Sequence, residues 1–368
     1  MSTKKDKFNQ RDRFFMNLAF NLARDRSGLT GENPSVGCVI VKNDKVISLG
    51  QTGINGRPHA EFNAIKSCKY KLKDAKMYVS LEPCTHYGKT PPCSNLIIKS
   101  KIKKVIFSIT DIDKRTQSKS FKVFKDKNIK VKSGLLKNEA NKIYKSYIYN
   151  KNKKLPFVTG KLAVSKDNFI FSRNKKRITN DYSDNITQLL RYKNDTILIS
   201  SKTLNIDNPK LNCRIRGLSK HSPRRVILDK NLSTKQTSYI FRTSNGKNTI
   251  IIYSYGTKKK INQFKKNGVK LIKLGNKSNG FFDLKLILNK IYLLGCRNLL
   301  VEGGKTLTNN FLKDKLFNQF YLFKTSNYLN KNAKLNVSTE LKQLSFKYRK
   351  KSKVNTFTGN DVVYLYSK

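Results

Sequence analysis

The sequence predicts two α/β domains joined near residue 150, and three observations carry that reading. The chain has 368 residues, too long for one ordinary core and well matched to two. Hydrophobic residues make up 38% and aromatic residues 10%, enough to fill two cores and too many for a disordered chain. Short β-type apolar runs alternate with helix-period segments on both sides of NKNKKLP, a polar, basic stretch between Tyr149 and Pro156 that reads as a linker. The expected domains are 1–150 and 151–368.

Each element follows from its pattern. DRFFMNLAFNLARDR (12–26) has the apolar spacing of an amphipathic helix. VGCVIVKNDKVISLGQ reads as two strands turning at Lys42-Asn43-Asp44. RPHAEFNAIKSCKY predicts a helix, KMYVSLEP a strand, SNLIIKS a short helix, and KKVIFSIT a strand. A helix near 117–127, the strand IKVKSG and a helix from about 137 complete the first half. Strands alternating with helices after the first hairpin imply three layers around a partly parallel sheet. FVTGKLAV opens a second alternation, with a helix near 181–193 and the strands TILISS, RVILD, TIIIY and VKLIKL. A helix at about 282–294, the strand NLLVEGG and a further helix follow, and FNQFYLFKT and DVVYLYS close the sheet. No internal repeat of useful period is present.

Several classes are excluded. MSTKKDKFNQRDRFFMNLAF has no signal-peptide pattern, and no segment approaches the roughly 20 apolar residues that span a bilayer. Six cysteines without an export signal point to a reducing cytoplasm. The balance of 77 Lys+Arg against 23 Asp+Glu, net +54, suggests nucleic acid at first sight. The lysines are spread over the whole chain among many Asn and Ile, as an AT-rich coding sequence would give. The clusters KKK (258–260) and YRKKSK (348–353) read as solvated surface. No specific nucleic acid and no membrane is expected as a partner, although the excess charge attracts anionic substrates.

LEPCTHYGKTPPC (81–93) holds two cysteines and one of three histidines. It could be a disulfide, a metal site or coincidence. The compartment argues against the disulfide. Upstream stands RPHAEFNA, and His59, Cys84 and Cys93 form a set suited to tetrahedral Zn²⁺ with the fourth position open to water. His59 and Glu61 would point roughly 200° apart within an established helix, so both reach one site only if the helix begins there, as Pro58 suggests. Cys93 is expected at a helix N-terminus whose N–H groups favour its thiolate. Zinc lowers the pKa of water from 15.7 to about 7, and Glu61 can carry the proton to a departing amine. H-x-E … P-C … C is the zinc-deaminase signature.

Eight residues separate the two cysteines, where cytidine and tRNA deaminases have two. HAEFNA and LEPCTHYGKTPPC, with NPSVGCVIV ahead of them, resemble the bifunctional riboflavin-biosynthesis deaminase/reductase family. RITN, TLNIDNP and VEGGKTL extend the resemblance over essentially the whole chain. It implies a cytidine-deaminase-like three-layer α/β/α domain followed by a dihydrofolate-reductase-like α/β domain. It implies hydrolytic deamination of a phosphoribosyl-pyrimidine with Zn²⁺, then NADPH-dependent reduction of the ribose, in a homo-oligomer (dimer or tetramer). By the same resemblance Asn33 helps to hold the base, while Lys175, Arg191, Leu211, Arg214 and Glu302 contact the reductase substrate. Ala163, Arg177, Thr203, Asp207, Gly304, Lys305, Thr306 and Leu307 contact NADPH. The Gly303-Gly304 turn between strand and helix suits a phosphate.

This sequence departs from the family in three places. Ser165-Lys166-Asp167-Asn168 replaces the usual S-L-D-G, where Asn tolerates the positive φ that Gly supplies. Lys175 stands for a usual Ser, and Arg177 for a usual Trp. Retained reductase activity is the expectation. The rival readings are a deaminase with a degenerate reductase domain and a nucleic-acid-editing deaminase.

Overall fold

The computed structural model describes residues 8–172, 177–278 and 280–368. The chain divides into two compact units, Met1–Lys154 and Leu155–Lys368. The segment read as a linker is helical as far as Lys153.

The first unit opens with α1 (Gln10–Asp25), started by a capping box. Asn9 accepts from the Asp12 N–H at 2.8 Å and Asp12 accepts from the Asn9 N–H at 3.2 Å, which satisfies two otherwise orphaned donors. The hairpin β1 (Gly37–Lys42) and β2 (Lys45–Gln51) follows, then α2 (Ala60–Ser67), β3 (Lys76–Leu81), α3 (Cys93–Lys99), β4 (Lys104–Ile109), α4 (Lys119–Lys125) and β5 (Lys130–Ser133). Two helices, α5 (Lys137–Ile143) and α6 (Lys145–Lys153), end the unit. The sheet order is β2-β1-β3-β4-β5, antiparallel across the first two pairings and parallel from β3 to β5. Two glycines let helices lie on both faces. A Cβ on Gly37 would stand 1.9 Å from the Ala19 carbonyl of α1, and one on Gly50 would stand 2.2 Å from the Ala60 carbonyl of α2. Gly50 pairs with Cys38, the neighbour of Gly37, so the two glycines face opposite sides of the sheet. The core between includes Met16, Phe20, Val39, Ile40, Met77, Val79, Val105 and Phe107.

The second unit runs β6 (Phe157–Val164), β7 (Phe169–Ser172), α7 (Asp181–Tyr192), β8 (Thr196–Ser200), α8 (Ser201–Asp207), β9 (Arg224–Leu228), α9 (Tyr239–Arg242), β10 (Thr249–Tyr253), α10 (Lys258–Lys266) and β11 (Lys270–Lys273). It continues through α11 (Leu284–Leu293), β12 (Asn298–Glu302), α12 (Lys305–Lys313), β13 (Gln319–Lys324), β14 (Ala333–Asn336), α13 (Ser338–Lys347), β15 (Lys350–Lys353) and β16 (Val362–Ser367). Nine strands form one sheet in the order β11-β10-β9-β8-β12-β6-β13-β16-β15. It is parallel from β11 to β13, and β16 and β15 add antiparallel pairings. The β7–β14 pair stands apart as a two-stranded sheet. Asn168 takes φ +65° in the turn before β7, the conformation expected of it in place of Gly. No described helix is long and apolar enough to cross a membrane.

Candidate active sites

The first site lies at the carboxyl end of β3, the edge where parallel strands expose ligand-binding loops. His59 is the N-cap of α2, with extended backbone, φ −70° and ψ 159°. The helix therefore starts one residue later, and Glu61 lies in its first turn. The rapid change of backbone direction brings both side chains to one cavity despite their spacing. Cys84 follows β3 and Cys93 opens α3. The His59 Nδ1 lies 3.6 Å from Cys84 Sγ and 3.4 Å from Cys93 Sγ, and all three ligand atoms fall within 4.8 Å of one another. Zinc bonds of about 2.3 Å to sulfur and 2.0–2.1 Å to nitrogen give a tetrahedral edge of about 3.5 Å. The donor set fits that ion.

Local electrostatics prepares the ligands. Hydrogen bonding from Cys93, then from His59, lowers the Cys84 thiol to about 4. The Cys93 N–H donates to Cys84 Sγ at 3.3 Å, so the helix terminus favours the thiolate of Cys84, not that of Cys93 as the sequence suggested. Cys93 shares its proton with Cys84 and is raised. A bound cation displaces that proton. Glu61 is 4% exposed. Burial, then the Cys84 sulfur, pushes its carboxyl up to about 7, where a group that must both take and give a proton works best.

His59, Glu61, Cys84 and Asn33 line one cavity of about 550 Å³, with His86, Asp111, Asp113, Arg115, Tyr147 and Lys151 on other walls. Asn33 donates from Nδ2 to the Gly56 carbonyl at 2.9 Å. His86 bonds Thr116 at 2.9 Å and stands outside the ligand cluster. Sequence reasoning missed Glu82. It is 3% exposed and accepts from the N–H groups of Asp111, Ser118 and Ser120 at 3.0, 2.9 and 3.1 Å, and from the Ser120 hydroxyl at 2.7 Å. It fastens the loop after β4 beside the cysteine loop. The signal was a carboxylate at the end of a buried strand, two residues from Cys84.

The second site lies at the carboxyl end of β12. A cavity of about 270 Å³ is lined by Ala163, Thr203, Asp207, Glu302, Gly304, Lys305, Thr306 and Leu307, together with Lys161 and Gly303. The N-cap of α12 is Gly304 and no side chain caps the helix, an arrangement that suits an anion. A Cβ on Gly304 would meet Thr203 Oγ1 at 3.5 Å, which shows how closely the α8 and α12 turns approach. Lys161 was missed. A lysine inside the largely buried β6 is itself a signal, since an ammonium in a core strand needs a reason. Burial pulls its pKa down, and Glu302 opposes that shift.

Other expected residues fall elsewhere. Arg191 is held by Glu302 through Nε at 2.8 Å and NH2 at 2.9 Å, and also donates to the Asn212 carbonyl at 3.3 Å. Its fork is engaged by Glu302, and it is not among the residues that line the cavity. Although burial pushes Glu302 up, the Arg191 guanidinium holds its carboxyl below the usual value. Arg214 pairs with Asp184 at 3.3 Å, and Leu211 is 2% exposed within the core. Arg177 is 59% exposed and pairs with Asp181 at 2.9 Å and Asp184 at 3.9 Å. An acidic first turn of α7 has captured the guanidinium expected beside NADPH. Lys175 lies outside the described residues.

Two family models match this chain: the cytidine and deoxycytidylate deaminase zinc-binding region over residues 9–109, and the RibD C-terminal domain over 156–357. Riboflavin biosynthesis protein RibD of Aquifex aeolicus is 32% identical, covering 97% of this chain and 98% of its own. The chain belongs to the RibD family. The RibD of Actinobacillus pleuropneumoniae is also 32% identical, over 96% of this chain and 94% of that one. Among solved structures, Acinetobacter baumannii RibD, form 2, superposes with a TM-score of 0.83 at 25% identity, covering 97% of this chain and 99% of its own. The diaminohydroxyphosphoribosylaminopyrimidine deaminase/5-amino-6-(5-phosphoribosylamino)uracil reductase of Thermotoga maritima gives 0.80 at 29% identity, with 97% and 98% covered. As a RibD-family member the chain is a bifunctional deaminase and reductase of riboflavin biosynthesis, and its cofactors are zinc and NADPH.

Proposed function

We propose that the unit Met1–Lys154 carries the deaminase and Leu155–Lys368 the reductase, with the following roles for their residues. The observation that carries the reading is the His59–Cys84–Cys93 cluster, of which His59 and Cys84 line one cavity with the buried Glu61. The substrate is a diaminopyrimidinone bearing ribose 5-phosphate. Zinc on His59, Cys84 and Cys93 supplies water acidified enough to attack at neutral pH. Glu61 takes a proton from the attacking water and passes it to the ring nitrogen, then protonates the departing amine. The ring C–NH₂ bond breaks, ammonia leaves and a carbonyl remains. Asn33, fixed by Gly56, orients the base.

In the second unit NADPH supplies the hydride. The first turn of α12 (Lys305, Thr306 and Leu307 behind Gly304), with Thr203 and Asp207, holds the dinucleotide. Glu302 orients the ribose while Arg191 keeps that carboxylate ionised and in place. Lys161 stands beside Glu302 and gives its proton to the ring oxygen as C1′ is reduced.

The cavities suit small molecules, so a specific nucleic acid is not part of this reading. A reducing cytoplasm suits Cys84 and Cys93 as free thiols. The homo-oligomeric state implied by the resemblance is checked by mass measurement in solution. The enzyme is tested by following ammonia release and NADPH consumption separately in one reaction on the pyrimidine substrate. Equimolar ammonia and oxidised nucleotide are expected. Ammonia alone would remove the reductase assignment, and neither would remove both.

A further inference from the structure

The deaminase cavity holds cationic side chains that the metal chemistry does not use. Four cations line it: Arg57, Lys89, Arg115 and Lys151. Arg57 is engaged with Thr90 on the cysteine loop. Arg115 and Lys151 come from other elements, the turn after β4 and the helix α6. One carboxylate joins them. Asp113 accepts from Arg115 Nε at 3.0 Å and NH2 at 2.7 Å, from the Arg115 N–H at 3.1 Å, and from Lys151 Nζ at 3.2 Å.

An acid in this position organises the cations by hydrogen bonding. Asp111 also faces both of them, so what Arg115 and Lys151 offer a ligand is a set of aligned donors, not a surplus of positive charge. Arg115 has five donors and its fork uses two, and Lys151 has three and uses one. The remaining donors are free to meet a ligand in the same cavity. The neighbouring carboxylates are already engaged. Asp111 accepts from the Tyr147 hydroxyl at 2.9 Å and from the Asp113 N–H at 3.0 Å, and Glu82 is taken up by the loop. Arg115 is 62% exposed and would otherwise sample many rotamers, whereas Asp113 is 14% exposed and holds it in one fork. Pre-ordering of this kind lowers the entropy lost when an anion binds, and a guanidinium fork suits phosphate oxygens. The Arg115 side chain, ahead of the Lys151 ammonium, holds the Asp113 carboxyl well below the usual range, so it stays ionised at neutral pH.

We infer that Arg115 and Lys151, aligned by Asp113, form the subsite that takes the phosphate of the deaminase substrate. The inference rests on the deaminase reading above and deepens it. Arg115 and Lys151 are binding residues, and Asp113 is a positioning residue. A rim ion pair serving only stability would contribute little and would not distinguish ligands by their phosphate.

The test uses the full-length, zinc-loaded enzyme. Deamination is measured on the phosphoribosyl substrate and on its dephosphorylated ribosyl counterpart, for wild type, Arg115→Gln, Lys151→Gln, the double variant and Asp113→Asn. The readout is the ratio of kcat/KM between the two compounds. Each single charge loss is expected to lower this ratio about tenfold and the double variant about 100-fold, chiefly through KM, as the loss of charge-assisted hydrogen bonds predicts. Asp113→Asn keeps both cations but lowers the ratio several-fold by freeing Arg115. Inorganic phosphate should compete with the substrate in wild type and more weakly in the double variant. Zinc content and thermal midpoint report whether each variant is folded. A ratio unchanged in the folded double variant overturns the subsite, as does a wild type that works equally well on both compounds. Failure of wild type to deaminate either compound overturns the deaminase reading, and the subsite with it.

Discussion

His59 and Glu61 are two positions apart, a spacing that separates side chains on a regular helix. They share a cavity because His59 has extended backbone and Glu61 is already in the first turn. The proximity of the Cys84 sulfur and near-complete burial keep the Glu61 carboxyl at about 7. Glu61→Gln keeps the shape and removes the proton carrier. Ammonia release should fall by about 10²–10⁴-fold, the usual worth of general acid–base catalysis, while metal analysis still finds zinc bound. Ammonia release at the wild-type rate would show that the carrier is another group. This constellation was legible in the sequence because metal ligands are few in type and their order is informative. The protonation pattern was not: the Cys84 thiol is lowered first by the Cys93 side chain and then by His59, with the Cys93 N–H adding to it, all contacts between segments.

At the scale of elements, two carboxylates act as fasteners, one of them, Glu82, missed in the sequence. Glu82 ties the loop after β4 to the end of β3 by four hydrogen bonds. Glu82→Gln turns one acceptor oxygen into a donor facing donors, which costs about 1–3 kcal/mol. A lower thermal midpoint and a higher KM for deamination are expected, with zinc content unchanged. An unaltered KM would show that the loop does not need this fastener. Arg191 and Glu302 join α7 to the end of β12. The folded carboxyl is depressed, so the contribution of the pair is complete above the ordinary glutamate value of about 4.3. It is lost as pH falls through the lower folded value. Arg191→Met should destabilise the reductase unit by about 3 kcal/mol at neutral pH, since it removes both guanidinium hydrogen bonds from a largely buried carboxylate and leaves only Lys161 close by. Replacing both partners by apolar residues should restore much of that loss and remove its acid dependence. Denaturant unfolding across pH 3–7 distinguishes these cases. Most strands and long helices were legible from periodicity. The helices α8 and α10 were not, because α8 buries only Leu204 and α10 only Phe264, too little for an apolar stripe. The β7–β14 pairing joins segments far apart in the chain, which no local pattern encodes.

At the scale of the whole molecule, two cavities of different chemistry belong to two separately cored units. Chelation should therefore abolish ammonia release yet leave NADPH consumption intact when the deaminated intermediate is supplied. Parallel loss of both activities would contradict the division of labour. The net charge of +54 is dispersed, and its use in binding depends on where carboxylates leave cations free. The acidic start of α7 captured Arg177, whereas in the first unit's cavity Asp113 gathers two cations that line it. The sequence by itself determined the fold class and the order of most strands and long helices, and it singled out His59, Cys84, Cys93 and Glu61 as a candidate set that the fold brings together, because periodicity and donor chemistry are written in residue type and spacing. Only the tertiary structure decided which arginines are engaged by protein, which lysine stands in the reductase cavity and which carboxylates act as fasteners. Those roles depend on contacts between segments far apart in the chain, 111 positions for Arg191 and Glu302, and a charged side chain takes its function from the partner the fold places beside it.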